Sequence, residues 1–128
     1  MSPRAILWTG RAMSGLVILF LLFDGAIKLI PLDVVITTSQ ELGIPAHLAR
    51  TLGVLTLAGT LLYAWPRTAV LGAILLTGYL GGAIYVHVRA GSPMFSHTLF
   101  GVYLGLLLWG GLWLRDERLR SLFPFRHD

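Results

Sequence analysis

The sequence predicts an all-α transmembrane four-helix bundle, antiparallel, with a short interfacial helix between spans one and two. Three observations carry this expectation. Hydrophobic residues make up 55% of the 128 residues and charged residues only 12%, with a mean hydropathy of +0.76; soluble domains carry about 25% charged residues. Four apolar stretches follow one another, each near the roughly 20 residues that cross a hydrocarbon core. Proline, glycine or charge marks the end of each stretch. The length suits one domain, residues 1–128.

The first span covers about residues 8–30 and stops at Pro31. Arg4 and Arg11 precede its apolar run, as in a signal peptide. No small-x-small cleavage site follows, only Asp24, Gly25 and Lys28, so the segment reads as a span. The connection "LDVVITTSQELG", Leu32 to Gly43, is longer than the others. Asp33 can cap a short interfacial helix there, with Val34, Val35 and Leu42 toward the membrane and Ser39, Gln40 and Glu41 toward water. The second span covers about 45–65, the third 68–89 and the fourth 93–114. Pro45 and Pro93 suit the first turn of a helix, where a missing N–H costs nothing. Ser92 is a natural N-cap. The loops at Pro66 and Gly91 are tight, which makes consecutive spans antiparallel neighbours.

Charge predicts orientation. Arg4, Arg11, Arg67, Arg115, Arg118, Arg120 and Arg126 fall on one side of a four-span protein, while Asp33 and Glu41 fall on the other. By the positive-inside rule both termini are cytoplasmic, in a prokaryotic plasma or inner membrane. Trp8, Trp65, Trp109 and Trp113 then form a belt at the cytoplasmic interface. The basic tail, residues 115–128, lays Leu119, Leu122, Phe123 and Phe125 on the inner leaflet, its arginines among anionic head groups. Net charge is +4 and the pI near 10.1. The basic residues sit at span ends rather than on one polar face, so nucleic acid is excluded as a partner and membrane lipids are expected.

Ionisable residues gather at one end. Asp24 and Lys28 close the first span, His47 and Arg50 open the second, Tyr85, His87 and Arg89 close the third, and His97 opens the fourth. A charge inside the bilayer costs about 2.5–3.5 kcal/mol and needs a partner or water. Asp24 and Lys28 stand at i, i+4 with the acid first, the better orientation for a helical ion pair. Helix phase at about 100° per residue groups Gly10, Ser14, Val17, Leu21, Asp24 and Lys28 on one face of the first span. It groups His47, Arg50, Thr51, Val54 and Ala58 on the second. On the third it groups Gly78, Gly81, Gly82, Tyr85 and Arg89, with His87 on the other side, and on the fourth His97, Gly101, Leu104 and Leu108. Small residues mark helix contacts in membranes, so these faces are expected inward.

The functional expectation is a polar pocket at the outer leaflet, binding an amphiphile through Asp24, Lys28, Arg50, Tyr85 and His97. His47, His87 and Arg89 are secondary candidates. The structural alternative is that the same groups only hold the helices together and snorkel to the interface. His87 and His97 flank one hairpin, the placement of paired haem ligands, but helix phase turns His87 away and no HxxxH or ExxH spacing exists, so neither metal nor haem is expected. The chain has no cysteine, which removes disulfide and thiolate chemistry. No Ser/His/Asp triad, P-loop or GxGxxG occurs, so no catalytic set is assigned. "GYLGG" and "GVYLG" place glycines four apart on consecutive helices. They are expected to pack on each other, with a homo-oligomer through these faces as the sharper reading.

The segments "LLFDGAIKLIP", "ELGIPAHLARTLGVLTLAGTLLYAWPRTAVLGAILLTGYLGGAIYVHVRAG" and "GLWLRDERLRSLFP" together resemble the DoxX-like membrane proteins, over nearly the whole chain. The markers are the charged end of the first span and a glycine-rich third span that ends in His and Arg. The resemblance implies a four-helix membrane bundle. It also implies association with membrane redox systems, since the family takes its name from a subunit linked to a quinone-dependent oxidoreductase. Other relatives are tied to redox stress or to membrane-protein assembly, and some distant ones use cysteine pairs that this chain lacks. The expected function is therefore binding of a quinone or another lipid by a subunit with no intrinsic cofactor, whose electrons a redox partner protein would bring. The alternative is a non-enzymatic scaffold or assembly factor. Transport is disfavoured, because no span is clearly broken at mid-membrane.

Overall fold

Helix α1, Pro3–Leu29, begins where the Ser2 hydroxyl accepts the Ala5 amide at 3.1 Å and Pro3 fills the first turn. Both devices deal with amides that a helix start leaves without partners. The computed structural model describes residues 2–30 and 32–126, and the first-span stop assigned to Pro31 lies outside them. One face of α1 is buried, through Gly10, Ser14, Val17, Leu21 and Gly25. Its other faces expose Leu16, Leu19 and Phe23, residues that suit contact with lipid.

Helix α2, Asp33–Leu42, is the helix expected in the long connection. Leu32 rather than Asp33 is its N-cap, and Asp33 lies in the first turn. Gly43 ends it at φ +73, where Ile44 N–H returns to Ser39 C=O at 2.8 Å, the bonding that a left-handed residue allows. A 3₁₀ turn, Ala46–Leu48, leads into α3, Ala49–Ala64. Helix α4, Ala69–Ala90, ends at Gly91 with φ +71. A π-type turn, Met94–Thr98, runs into α5, Phe100–Arg115, and α6, Glu117–Leu122, closes the chain. No strand occurs among the described residues. Three helical segments are long and apolar enough to cross a membrane: Pro3–Leu29, Ala69–Ala90 and Met94–Arg115. Helix α3 has 16 residues, shorter than a span requires alone, and gains length from the turn before it.

Helix α1 packs against α3 and α5, and α4 packs against the same two. Lipid supplies no hydrophobic drive between helices, so close backbone approach matters. A Cβ on Gly53 would lie 2.7 Å from the Leu29 nitrogen, and one on Gly10 would lie 2.8 Å from Gly111 oxygen. These are the crossings of α1 with α3 and α5. Val17, Leu21, Tyr63, Leu76, Leu108 and Leu112 fill the centre.

Several expected faces turn out otherwise. On α3 the buried face is Ala49, Gly53, Thr56, Gly59, Thr60 and Tyr63, so Arg50, Thr51, Val54 and Ala58 are exposed. The close-packing residues set this phase, and the charges at the helix start turn away from it. On α4 the buried face is Ala69, Gly72, Ala73, Leu76 and Leu80. Gly78, Gly81 and Gly82 are exposed, and a Cβ on any of them would meet nothing within 4 Å. The expected packing of Gly78 and Gly82 on Gly101 and Gly105 is therefore absent; Gly101 meets Ile84 and Leu80 instead, and Gly105 faces open space. Ser39 of α2, expected toward water, is buried.

The tail folds back on the helices. Asp116 caps α6 by accepting the Arg118 and Leu119 amides, and Leu119 joins the core. Arg120 donates to Trp113 and Leu114 C=O at 2.8 and 2.7 Å, satisfying carbonyls that the end of α5 leaves open. Trp113 donates to Phe123 C=O at 2.7 Å, and Trp109 to the Thr77 hydroxyl at 2.7 Å, so two of the four tryptophans serve as ties between elements. Arg120→Ala is expected to lower stability by about 1 kcal/mol, the usual worth of such bonds. Glu117, only 3.9 Å from Arg120 and almost fully exposed, should be replaceable at no measurable cost. Thermal unfolding in detergent that ranks the two variants in the opposite order would refute this account of the tail.

Candidate functional site

A cavity of about 520 Å³ lies where α1, α2, α3 and α4 meet. Its walls are largely aliphatic, with Ile27, Val35, Leu42, Leu52 and Val86 among them. Helix α2 covers one side, lining the cavity with residues between Val34 and Leu42. Gly78 and Gly82 of α4 line the cavity and are also exposed, so the wall is low there.

The polar corner is built on α1 and α4. Lys28 Nζ donates to Asp24 Oδ2 at 2.8 Å, and the two side chains are 23% and 24% exposed. It also donates to the Tyr79 hydroxyl at 2.8 Å and lies 5.4 Å from the centre of that ring. All three residues line the cavity. Two of the three ammonium hydrogens are engaged, and the Tyr79 oxygen accepts, so its own hydrogen remains to be donated. The corner can therefore offer one Lys28 N–H and one Tyr79 O–H to a guest.

His87 lines the cavity farther along α4, its Nδ1 bonded to the Ser92 hydroxyl at 2.9 Å. Its ring lies edge-on to His97 at 6.0 Å between centroids. His97 itself is exposed, pairs with Ser96 at 2.7 Å and does not line the cavity. The π-type turn explains this: Thr98 N–H reaches Pro93 C=O, and the extra residue turns His97 out of phase with Leu104 and Leu108, which are buried. Arg50, Tyr85 and His47 are exposed and also lie outside the lining. Arg89 is exposed and donates to Leu42 C=O at 3.3 Å, tying α4 to the end of α2. Of the five principal site candidates, the fold brings Asp24 and Lys28 to the cavity. It adds Tyr79, which the sequence reading missed. The signal was available: Tyr79 shares a face with Leu76, Leu80, Ala83 and His87, the aliphatic face of α4 rather than its glycine face.

A second polar group lies at the opposite end, where the sequence suggested almost none. Arg115 Nε donates to Ser14 Oγ at 3.2 Å, Ser14 and Tyr63 hydroxyls lie 2.8 Å apart, and Tyr63 donates to Leu108 C=O at 2.6 Å. Tyr63 is fully buried. With Tyr63 donating onward, Ser14 donates to Tyr63, and the series is satisfied throughout. Among the described residues no buried side-chain polar atom lacks a partner, and no three metal-binding side chains gather.

No curated protein and no solved structure matches the chain. A family model described as the DoxX-like family matches residues 12–111, which take in the polar corner, the cavity walls and most of α5. The apolar helices and this match agree on an integral membrane protein, and the chain belongs to the DoxX-like family.

Proposed function

We propose that the chain is an antiparallel four-span bundle of a prokaryotic inner membrane, with both termini cytoplasmic, that holds a quinone or similar amphiphile in its outer-leaflet cavity. The carrying observation is the cavity itself: about 520 Å³, aliphatic walls, and one polar corner of Asp24, Lys28 and Tyr79. Ligand pockets of this size typically pair apolar walls with a few convergent polar groups. A carbonyl placed in the corner would accept from Lys28 and Tyr79, while its apolar body would lie along α2 and α4. The low wall at Gly78 and Gly82 supports a route from the bilayer. A role as a subunit of a redox system, with electrons brought by a partner protein, extends this reading. Self-association through the exposed glycines extends it in another direction.

Tyr79→Phe keeps the ring and removes one donor. Its affinity for a decyl-substituted benzoquinone should fall about 3- to 10-fold, the worth of one hydrogen bond. Calorimetric titration of detergent-purified protein checks this, and equal affinity would refute the proposed contact. One observation favours the scaffold reading: Lys28 is bonded within the protein to both α1 and α4, as a structural tie would be. That reading expects no binding by either protein and lower thermal stability for Asp24→Asn.

A further inference from the structure

The cavity's polar corner carries one positive and one negative charge, 2.8 Å apart on one helix turn. We propose that Asp24 is a specificity-determining residue: by neutralising Lys28, it selects uncharged, carbonyl-bearing amphiphiles and turns away anionic ones. This inference rests on the amphiphile-binding reading above and sharpens it.

The ionisable residues that line the cavity are Asp24, Lys28, Tyr79 and His87. Asp24 and Lys28 are about equally exposed, so neither charge is shielded more than the other. Tyr79 holds its hydroxyl oxygen against Lys28. His87 lies eight residues beyond Tyr79, about 12 Å along the axis at 1.5 Å per residue, and its Nδ1 is engaged by Ser92. Arg50 and Arg89, the nearby permanent cations of α3 and α4, do not line the cavity. Lys28 is thus the one lysine or arginine among the lining residues, and its charge is already matched.

A neutral carbonyl loses nothing in this setting. It takes the remaining Lys28 N–H and the Tyr79 O–H and leaves the ion pair intact. A carboxylate or phosphate must either displace Asp24 from Lys28 or sit beside it. The aliphatic walls screen poorly, so both courses are costly. A cavity with Lys28 alone would behave in the opposite way and hold anions well. Size and apolar lining are common to both cases, so Asp24 decides between them. Exclusion by an introduced like charge is a general route to specificity.

The test uses two probes with the same tail, a decyl-substituted benzoquinone and decanoate, titrated into detergent-purified full-length protein. The wild type is expected to bind the quinone and to bind decanoate at least about 10-fold more weakly. Asp24→Asn, nearly isosteric, should shift the ratio of quinone to decanoate affinity about 10-fold toward decanoate. Asp24→Glu, which keeps the charge, should keep the wild-type preference. Equal wild-type affinity for the two probes overturns the inference, and so does an Asp24→Asn protein that still rejects decanoate. The wild-type comparison decides the matter even where Asp24→Asn does not fold. Wild-type protein that binds neither probe refutes the amphiphile-binding reading, and the inference falls with it; quinone binding without discrimination refutes the inference alone.

Discussion

Gly72→Ala is expected to disrupt the fold, although it adds one methyl group. A Cβ there would stand 2.6 Å from Tyr63 Cα and 2.8 Å from the Leu62 carbonyl carbon. Both are backbone atoms, so no side chain can rotate away. The α3–α4 pair would have to separate beside its tight connection, and Thr68 would then lose its 2.7 Å bond to Leu62 C=O. Overpacking ordinarily costs about 1–3 kcal/mol, and a clash between backbones belongs at or above the top of that range. Gly81→Ala is the matched control. It lies on the same helix, a Cβ there meets nothing within 4 Å, and alanine is the better helix former by about 1 kcal/mol. Thermal unfolding in detergent should show a large loss for the first and no loss for the second. Equal stability of the two variants would mean that α3 and α4 are not in backbone contact.

Tyr63→Ala should cost about 3–5 kcal/mol, since it empties the centre of the core where no exposure remains. Tyr63→Phe separates the hydroxyl from the ring. It removes the acceptor of Ser14 and the donor to Leu108, and leaves the ring over which Arg115 lies at 5.5 Å. A buried group left without its partner costs about 1–3 kcal/mol. Combining Tyr63→Phe with Ser14→Ala removes both ends of the broken bond, so the double variant should lose less than the two single losses added together. Strict additivity in chemical or thermal unfolding would show that the two hydroxyls do not act together.

The first helix was readable from sequence because it is long and unbroken. One phase, set on Gly10 and Ser14, extends correctly through Val17 and Leu21 to Asp24 and Lys28. Helix α2 was readable from the length of the connection and its mix of apolar and polar residues, although Asp33 proves to lie in the first turn rather than at the cap. The phases of α3 and α4 were set on the wrong residues. Arg50 stands out in the sequence as a charge and the run Gly78 to Gly82 as small residues, yet backbone contact falls to Gly53 and Gly72. Small residues allow a close approach; they do not say which of them is used. His97 was misplaced because a single-turn change of hydrogen-bond pattern leaves no mark in hydrophobic periodicity. Tyr79 lies on the aliphatic face of α4, which the run of glycines drew attention from, and its pairing with Lys28 follows from the reach of that side chain from α1 to α4. The link between Arg115 and Ser14 was hidden, their positions lying 101 residues apart.

The series from Arg115 through Ser14 and Tyr63 to Leu108 gives the molecule a rigid end. Lys28 stands fourteen residues beyond Ser14 on α1, about 21 Å up the helix. At that height the helices enclose empty space instead of interlocked hydroxyls, and α2 spans the gap with only a few neighbours on α3 and α4. Thermal breathing concentrates where packing is sparse. The protein is therefore built like a clothes peg: sprung shut at one end, compliant at the other. On the amphiphile-binding proposal, a guest of unexpected girth would be admitted by spreading the jaws, while the crossing of Gly10 and Gly111 holds the tied end in alignment.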